Sequence, residues 1–329
     1  MINILFRCDG SNEIGMGHIE RCLVLANYIK KHCEAKINFA MRTSDIGFSR
    51  VGKYFPIIKS EEKNFNYYNW MTDTIIKVSA NILILDVRDG LSRKDLRKIK
   101  YNHNIKIVTI DDPEDKRLES NLAFYPPVPQ LEKMNWDNYK GKLNVGLEYY
   151  ILNEKFAIQY KKKINNKPKI LISMGGTDPE NYTLKFLHLL IEIHGDFEII
   201  ILIGVGYSFL DELEKFIFDN NVKCTIIKDP KKVEDIFTMV DLGLLSFGVT
   251  AYEFASLGIP ALYMCRTEDH KISSQLLCRE NRGYVVGVEN EIYNDYFNRI
   301  IGLFLNHLLP FNANRLEISN LKKITSMII

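Results

Sequence analysis

The chain has 329 residues, 46% of them hydrophobic, with 43 Lys+Arg against 41 Asp+Glu and a formal net charge of +2. That length sets a prior of two domains and leaves ample apolar residues for two cores. The near-balanced charge offers no long field of one sign, so no nucleic-acid or polyanion partner is expected. The cysteines Cys8, Cys22, Cys33, Cys224, Cys265 and Cys278 form no C-x-x-C pair. Several lie in apolar runs, as reduced, buried thiols do. About five apolar residues precede Arg7, too few for a signal-peptide core. No apolar run approaches the roughly 20 residues needed to span a bilayer. The expectation is a cytoplasmic protein without stable membrane insertion.

Short apolar runs alternate with amphipathic stretches along the chain. In the first half, strands are predicted at Ile2–Phe6, Lys36–Ala40, Ile82–Leu85 and Lys106–Ile110, with helices over 18–32, 70–79 and 92–102. Ile19, Cys22, Leu23, Ala26 and Ile29 carry the helical rhythm of the first of these. A polar, basic stretch, "EKFAIQYKKKINNKPK", then marks a linker, with its most basic run at Lys161–Lys169. It separates a domain at 1–160 from one at 166–329. The second half repeats the scheme, with strands at Ile170–Ser173, Glu198–Ile203, Thr225–Ile227, Leu242–Leu245 and Ala261–Met264. Helices are predicted over 180–194, 208–220, 231–240, 251–257 and 272–281, with further helix after Asn290. Strands apolar throughout belong to parallel sheets covered on both faces. The expected fold class is therefore α/β: two Rossmann-like, doubly wound domains facing across a cleft. In such sheets ligands bind outside the carboxyl ends of strands.

Four loops after strands carry the candidate chemistry. The first, "SNEIGMGHIERCLVLA", places Gly15 and Gly17 just before His18 on the first turn of a helix. Backbone dipoles there disfavour imidazolium, which suits a neutral ring that accepts a proton. The second, "LDVRDG", holds Asp86 and Arg88. The third, "SMGGTDPEN", follows the first strand of the second domain with Gly175 and Gly176, and a helix is expected from near Thr177. Glycines and a helix N-terminus together suit a diphosphate. A capping box, Thr177-x-x-Glu180, accounts for the polar residues but not for the double glycine. The fourth, "LSFGVTAYEFASLGIP", offers Ser246, Gly248 and Thr250, with Thr250-x-x-Glu253 a second capping box. Glu253 is equally suited to accept from the vicinal hydroxyls of a ribose.

The stretches "GMGHIERCLVLA", "SMGGTD" and "SFGVTAYEFASLGIP" resemble the nucleotide-sugar hydrolases of pseudaminic acid biosynthesis and the related spore-coat polysaccharide proteins. All are similar to GT-B glycosyltransferases, and the resemblance spans roughly residues 1–290. It implies a GT-B fold and hydrolysis of a UDP-linked acetamido-deoxy sugar. It implies His18 as the general base, and Gly15, Gly17, Arg21, Asp86 and Arg88 are expected around the sugar. Gly175, Gly176, Thr177, Asp178, Ser246, Gly248, Thr250 and Glu253 are expected around the nucleotide. It implies no cofactor and no metal. The chain departs from the family where Asp86-Val87-Arg88 replaces Asp-His-Tyr, and where "RTEDHKISSQ" lacks the usual Asn-Gln pair; Asp269 and His270 in that segment are left either near the cleft or on the surface. Two alternatives share the same expected cleft: a glycosyltransferase, with an acceptor hydroxyl in place of water, and a non-catalytic nucleotide-sugar binder. Neither the identity of the sugar nor the oligomeric state is legible in the residues.

Overall fold

The computed structural model describes residues 1–11, 14–42, 45–60, 66–156, 167–318 and 320–329. Two compact units result, Met1–Asn153 with Ile318–Ile329, and Glu154–Glu317.

Unit 1 runs β1 (Ile2–Cys8), α1 (Gly17–His32), β2 (Ala35–Met41), α2 (Asp45–Gly52), β3 (Ile57–Lys59), α3 (Tyr67–Val78), β4 (Ile82–Asp86), α4 (Arg93–His103), β5 (Lys106–Ile110), β6 (Leu122–Tyr125) and β7 (Lys142–Val145). The strands pair in parallel in the order β3-β2-β1-β4-β5-β6-β7. Ile4, Phe6 and Ile84 bury one face of this sheet with Ile19, Cys22, Ala26 and Ile29 of α1. Leu5, Leu83 and Leu85 bury the other with Met71, Ile75, Leu96 and Ile99 from α3 and α4. Side chains alternate across a strand, so covering both faces demands apolar residues at every position. β4 is accordingly buried at all five positions.

Unit 2 repeats the plan: β8 (Lys169–Ser173), α5 (Tyr182–Ile191), β9 (Glu198–Ile203), α6 (Leu210–Asp219), β10 (Cys224–Lys228), α7 (Val233–Phe237), β11 (Leu242–Ser246), α8 (Val249–Leu257), β12 (Ala261–Cys265), α9 (Glu268–Cys278), β13 (Gly283–Val288), β14 (Glu291–Ile292) and α10 (Asn294–Leu305). Its sheet has the order β10-β9-β8-β11-β12-β13-β14, and β14 alone among the described strands runs antiparallel to its neighbour. In each sheet strand addition reverses once, between β1 and β4 and between β8 and β11. That reversal opens a crevice at the carboxyl ends of those strands. Among the described residues no helix is long and apolar enough to cross a membrane.

The chain tail departs from the expected division at 166–329. A last helix, α11 (Leu321–Ile328), belongs to unit 1. Leu321, Ile324 and Ile328 join the α1 side of that core. The Lys106 ammonium donates to the carbonyls of Met327 and Ile328 at 2.8 and 2.7 Å, a cation placed where the helix dipole favours one. The amphipathic spacing gave the helix, but its partner face lies some 300 residues back in sequence. Both units also differ from expectation towards their sheet edges, where β3, β6, β7, β13 and β14 add strands beyond those predicted. Of the linker at 161–169, only residues 167–169 are described.

Ile324 is fully buried. Replacing it with Ala is expected to lower the unfolding free energy by roughly 2–5 kcal/mol, read from the urea midpoint. An unchanged midpoint would show that α11 contributes nothing to unit 1.

Candidate active site

The loop between β1 and α1 is closed on itself. Ser11 N donates to Gly15 O at 3.3 Å and Gly15 N to Ser11 O at 2.9 Å. Gly15 makes the turn with φ +79, a conformation that side chains disfavour. Residues 12–13 of the opening motif lie outside those described. Space is open over both Gly15 and Gly17. Gly17 begins α1, whose N-cap residue Met16 supplies no side-chain cap, and His18 follows on the first turn.

His18 Nδ1 lies 2.7 Å from Asp86 Oδ1, at the end of β4. The expected sugar ligands Arg21 and Asp86 instead face each other inside the protein. Arg21 Nη2 and Nε donate to Asp86 Oδ1 and Oδ2, both at 2.7 Å, and Cys22 Sγ donates to Oδ2 at 3.7 Å. Asp86 has no exposed side-chain surface, while His18 retains 24%. Burial pushes the Asp86 carboxyl up, but Arg21 and His18 outweigh it and hold it well below the usual carboxylate range. An ionised carboxylate only accepts hydrogen bonds, so Nδ1 carries a proton towards Asp86 and Nε2 is the ring nitrogen left for a ligand. Arg88, two residues on, is exposed.

Sequence reasoning missed a second charged cluster at this sheet edge. Arg7, fully buried at the end of β1, donates to Asp9 at 2.5 Å, to Asp89 at 2.9 Å and to the Tyr67 hydroxyl at 2.8 Å. Asp9 also accepts from Arg42 N at 2.8 Å. The cluster thus ties together the loops after β1, β2 and β4. The sequence signal was an arginine directly after the apolar run Ile4–Phe6. Beyond it the Lys116 ammonium meets Glu114, Asp112 at 3.5 Å and Asp89 at 3.8 Å. One cation cannot neutralise three carboxylates. Burial therefore dominates at Asp112 and, opposed by Lys116 but helped by Asp89, pushes its carboxyl up to about 7.

In unit 2, Gly175 and Gly176 follow β8 and have different tasks. Gly175 holds φ +92 with open space above it. Gly176 is packed: a Cβ on Gly204 would come within 2.5 Å of Gly176 Cα, and Gly206 N donates to Gly176 O at 3.0 Å. The expected helix start near Thr177 is corrected to Tyr182, and no Thr177–Glu180 capping box forms. Asp178 takes the capping role, accepting from Tyr182 N and Thr183 N at 2.9 and 2.8 Å. Thr177 and Asp178 are both buried. The amides that a phosphate would claim at α5 are thus already held by a carboxylate.

The N-terminus of α8 is different. Gly248 is its N-cap, no side chain caps it, and space is open over Gly248. Thr250 is the second helical residue rather than a cap, so the expected Thr250–Glu253 capping box is absent too. Thr250 and Glu253, three apart, share a helix face, and both are half-buried, as is Ser246 at the end of β11. Gly258 ends α8 at φ +70, as its sequence position predicts. α9 starts earlier than expected, placing Asp269 and His270 in its first turn, with Asp269 exposed. The His270 ring lies 6.2 Å from that of Phe247.

The fold is that of the GT-B class. The crystal structure of Acinetobacter baumannii MurG matches with a TM-score of 0.72 at 11% identity, over 100% of this chain and 99% of that one. A Staphylococcus aureus MnaA–UDP structure matches with a TM-score of 0.66 at 11% identity, over 100% and 96%. Among curated proteins, the chain is similar to an uncharacterized protein of Methanocaldococcus jannaschii, 26% identical over 91% of this chain and 59% of that protein. It is similar to the UDP-2,4-diacetamido-2,4,6-trideoxy-beta-L-altropyranose hydrolase of Campylobacter jejuni, 27% identical over 56% of this chain and 64% of that protein. It is also similar to spore coat polysaccharide biosynthesis protein SpsG of Bacillus subtilis, 21% identical over 85% and 82%. The chain thus spans about six-tenths of the length of the first two relatives. No protein-family model matches it.

Asp112 yields a pH test. Its folded-state value of about 7 lies above the ordinary 3.8, so folding takes up a proton between those limits and the carboxyl costs stability as pH rises through them. Asp112→Asn fixes the neutral form. Its melting temperature relative to the parent protein is expected to be higher at pH 8 than at pH 5; an equal difference at both would refute the assignment.

Proposed function

We propose that the protein hydrolyses a nucleotide-activated sugar, a UDP-linked acetamido-deoxy sugar, in the making of a surface polysaccharide or nonulosonic acid. The observation that carries this reading is the His18–Asp86 pair at the switch point of unit 1, which leaves Nε2 as the ring nitrogen not held by the carboxylate. The similarity to a UDP-sugar hydrolase and to SpsG supports it.

In this mechanism His18 Nε2 takes a proton from water as the water oxygen bonds to the anomeric carbon. The bond from that carbon to the diphosphate oxygen breaks, and UDP leaves with the electron pair. The imidazolium that forms faces the ionised Asp86, which stabilises it and fixes the ring. Asp86 and Arg21 are thus positioning residues. Unit 2 binds the nucleotide. The amides at the start of α8 and around Gly175 stabilise the diphosphate, with Ser246 and Thr250 beside them. Glu253 accepts from the ribose hydroxyls. UDP is a stable anion, so no general acid is needed for its departure.

His18→Gln is expected to slow release of free sugar from the UDP-linked substrate by about 10²–10⁴-fold while UDP affinity is retained. Glu253→Ala should instead weaken UDP binding by about 10–100-fold, the loss of a charge-assisted hydrogen bond. Single-turnover assays without any acceptor and calorimetric UDP titration read the two effects. Normal turnover by His18→Gln would remove the base assignment, and product formation only on adding an acceptor alcohol would make the enzyme a transferase.

A further inference from the structure

Five aspartates crowd the carboxyl edge of the unit 1 sheet, and four are committed inward. Asp86 and Asp112 have no exposed side-chain surface, Asp89 has 5% and Asp9 15%. Asp111 keeps 30%. It follows β5, the neighbour of β4, where Leu85 pairs with Thr109, so it emerges beside Asp86. Its backbone sits at φ +50, in the left-handed region that aspartate tolerates better than most residues, and Asp111 N donates to Phe124 O at 2.9 Å.

The turn brings Asp111 Oδ2 to 3.4 Å from Arg21 Nη1. The other nitrogens of the same guanidinium hold Asp86, and Nη2 lies 3.5 Å from His18 Nδ1. A single guanidinium therefore separates Asp111 from the imidazole. One long contact does not saturate a carboxylate, which has about four acceptor sites. Arg21 holds Asp111 in place, and the remaining lone pairs are available to a ligand that offers N–H or O–H.

We propose that Asp111 is a sugar-recognising residue of unit 1, accepting a hydrogen bond from a hydroxyl or acetamido N–H of the activated sugar. The inference rests on the nucleotide-sugar reading above and narrows it. A carboxylate in this position repels a uronic acid, so the substrate is a neutral, donor-bearing sugar.

Calorimetric titration of UDP and of UDP-2,4-diacetamido-2,4,6-trideoxy-beta-L-altropyranose into His18→Gln protein, with and without Asp111→Ala or Asp111→Asn, tests it. The His18 change keeps the ligand intact during titration. Asp111→Ala is expected to weaken the UDP-sugar by about 10–100-fold and to leave UDP within twofold. Asp111→Asn, which keeps the shape and one acceptor oxygen, should fall between. An unchanged melting temperature of both variants, together with the split between the two ligands, separates recognition from misfolding, since a defect confined to unit 1 spares UDP but lowers the melting temperature. Equal affinity of parent and variants for the UDP-sugar, a parallel loss of both ligands in both variants, or a parent protein that gains nothing from the sugar would each overturn the role of Asp111. Binding with the expected split but no hydrolysis by the unmodified protein would overturn the hydrolase reading and leave Asp111 standing.

Discussion

Asp86 ends β4 with both oxygens out of contact with solvent, and three side chains from α1 reach it: His18, Arg21 and Cys22. A carboxylate buried without partners is strongly unfavourable, and removing one partner from such a pair costs about 3–5 kcal/mol. An exposed pair such as Lys228–Glu214 is worth only about 0–1 kcal/mol. The contrast matters for the site. The surface pairs of this protein are replaceable, whereas the Asp86 cluster pins the first turn of α1 to the end of β4. With that turn fixed, the imidazole is oriented with Nδ1 on Asp86.

Topology puts this cluster where it is. Strand order reverses between β1 and β4, so α1 and the loop after β4 diverge to opposite faces and leave their ends uncovered. Polar groups at such an edge lack the hydrocarbon cover of the helix faces and pair with one another or with the first residues of the helices. The Arg7–Asp9–Asp89–Tyr67 cluster does so one layer down. It joins three loops through charge, where the helices pack on the sheet through hydrocarbon. A polar scaffold of this kind specifies directions that apolar packing leaves free.

The parallel architecture was legible in the sequence because central strands announce themselves. Lys106–Ile110 and Glu198–Ile203 were predicted to the residue, since double-sided burial leaves a continuous apolar run. Edges are harder. β7, "KLNV", buries one residue in four, and a strand solvated on most sides has no such run. β13, "GYVVGV", is interrupted by glycines whose reason lies in its neighbour: a Cβ on Gly283 would come within 2.3 Å of the Tyr263 ring, and one on Gly287 within 2.5 Å of Met264 Sδ. The site divides in the same way. His18 could be read from local spacing, because the glycine turn and the helix start are contiguous with it. The inward orientation of Arg21 and Asp86, and the very presence of Asp111 beside them, depend on contacts 65 and 90 residues apart in sequence. No local pattern encodes those distances.

The two helix starts in unit 2 show how a small displacement of a boundary changes the electrostatics. A helix from Thr177 would have left its first amides facing the β8 loop. Instead the chain turns through left-handed conformations at Asp178 and Asn181, and the Asp178 carboxylate closes on the amides of Tyr182 and Thr183. Burial pushes that carboxyl up, and those same hydrogen bonds draw it back down. Its negative end faces the positive end of the α5 dipole, so a second anion there would meet a carboxylate rather than bare donors. At α8 the N-cap is a glycine, which brings no competing oxygen from a side chain. The favourable field for a diphosphate therefore lies with α8. Thr250 and Glu253 are carried on that helix, so its uncapped start and the residues proposed to hold the nucleotide lie on one element.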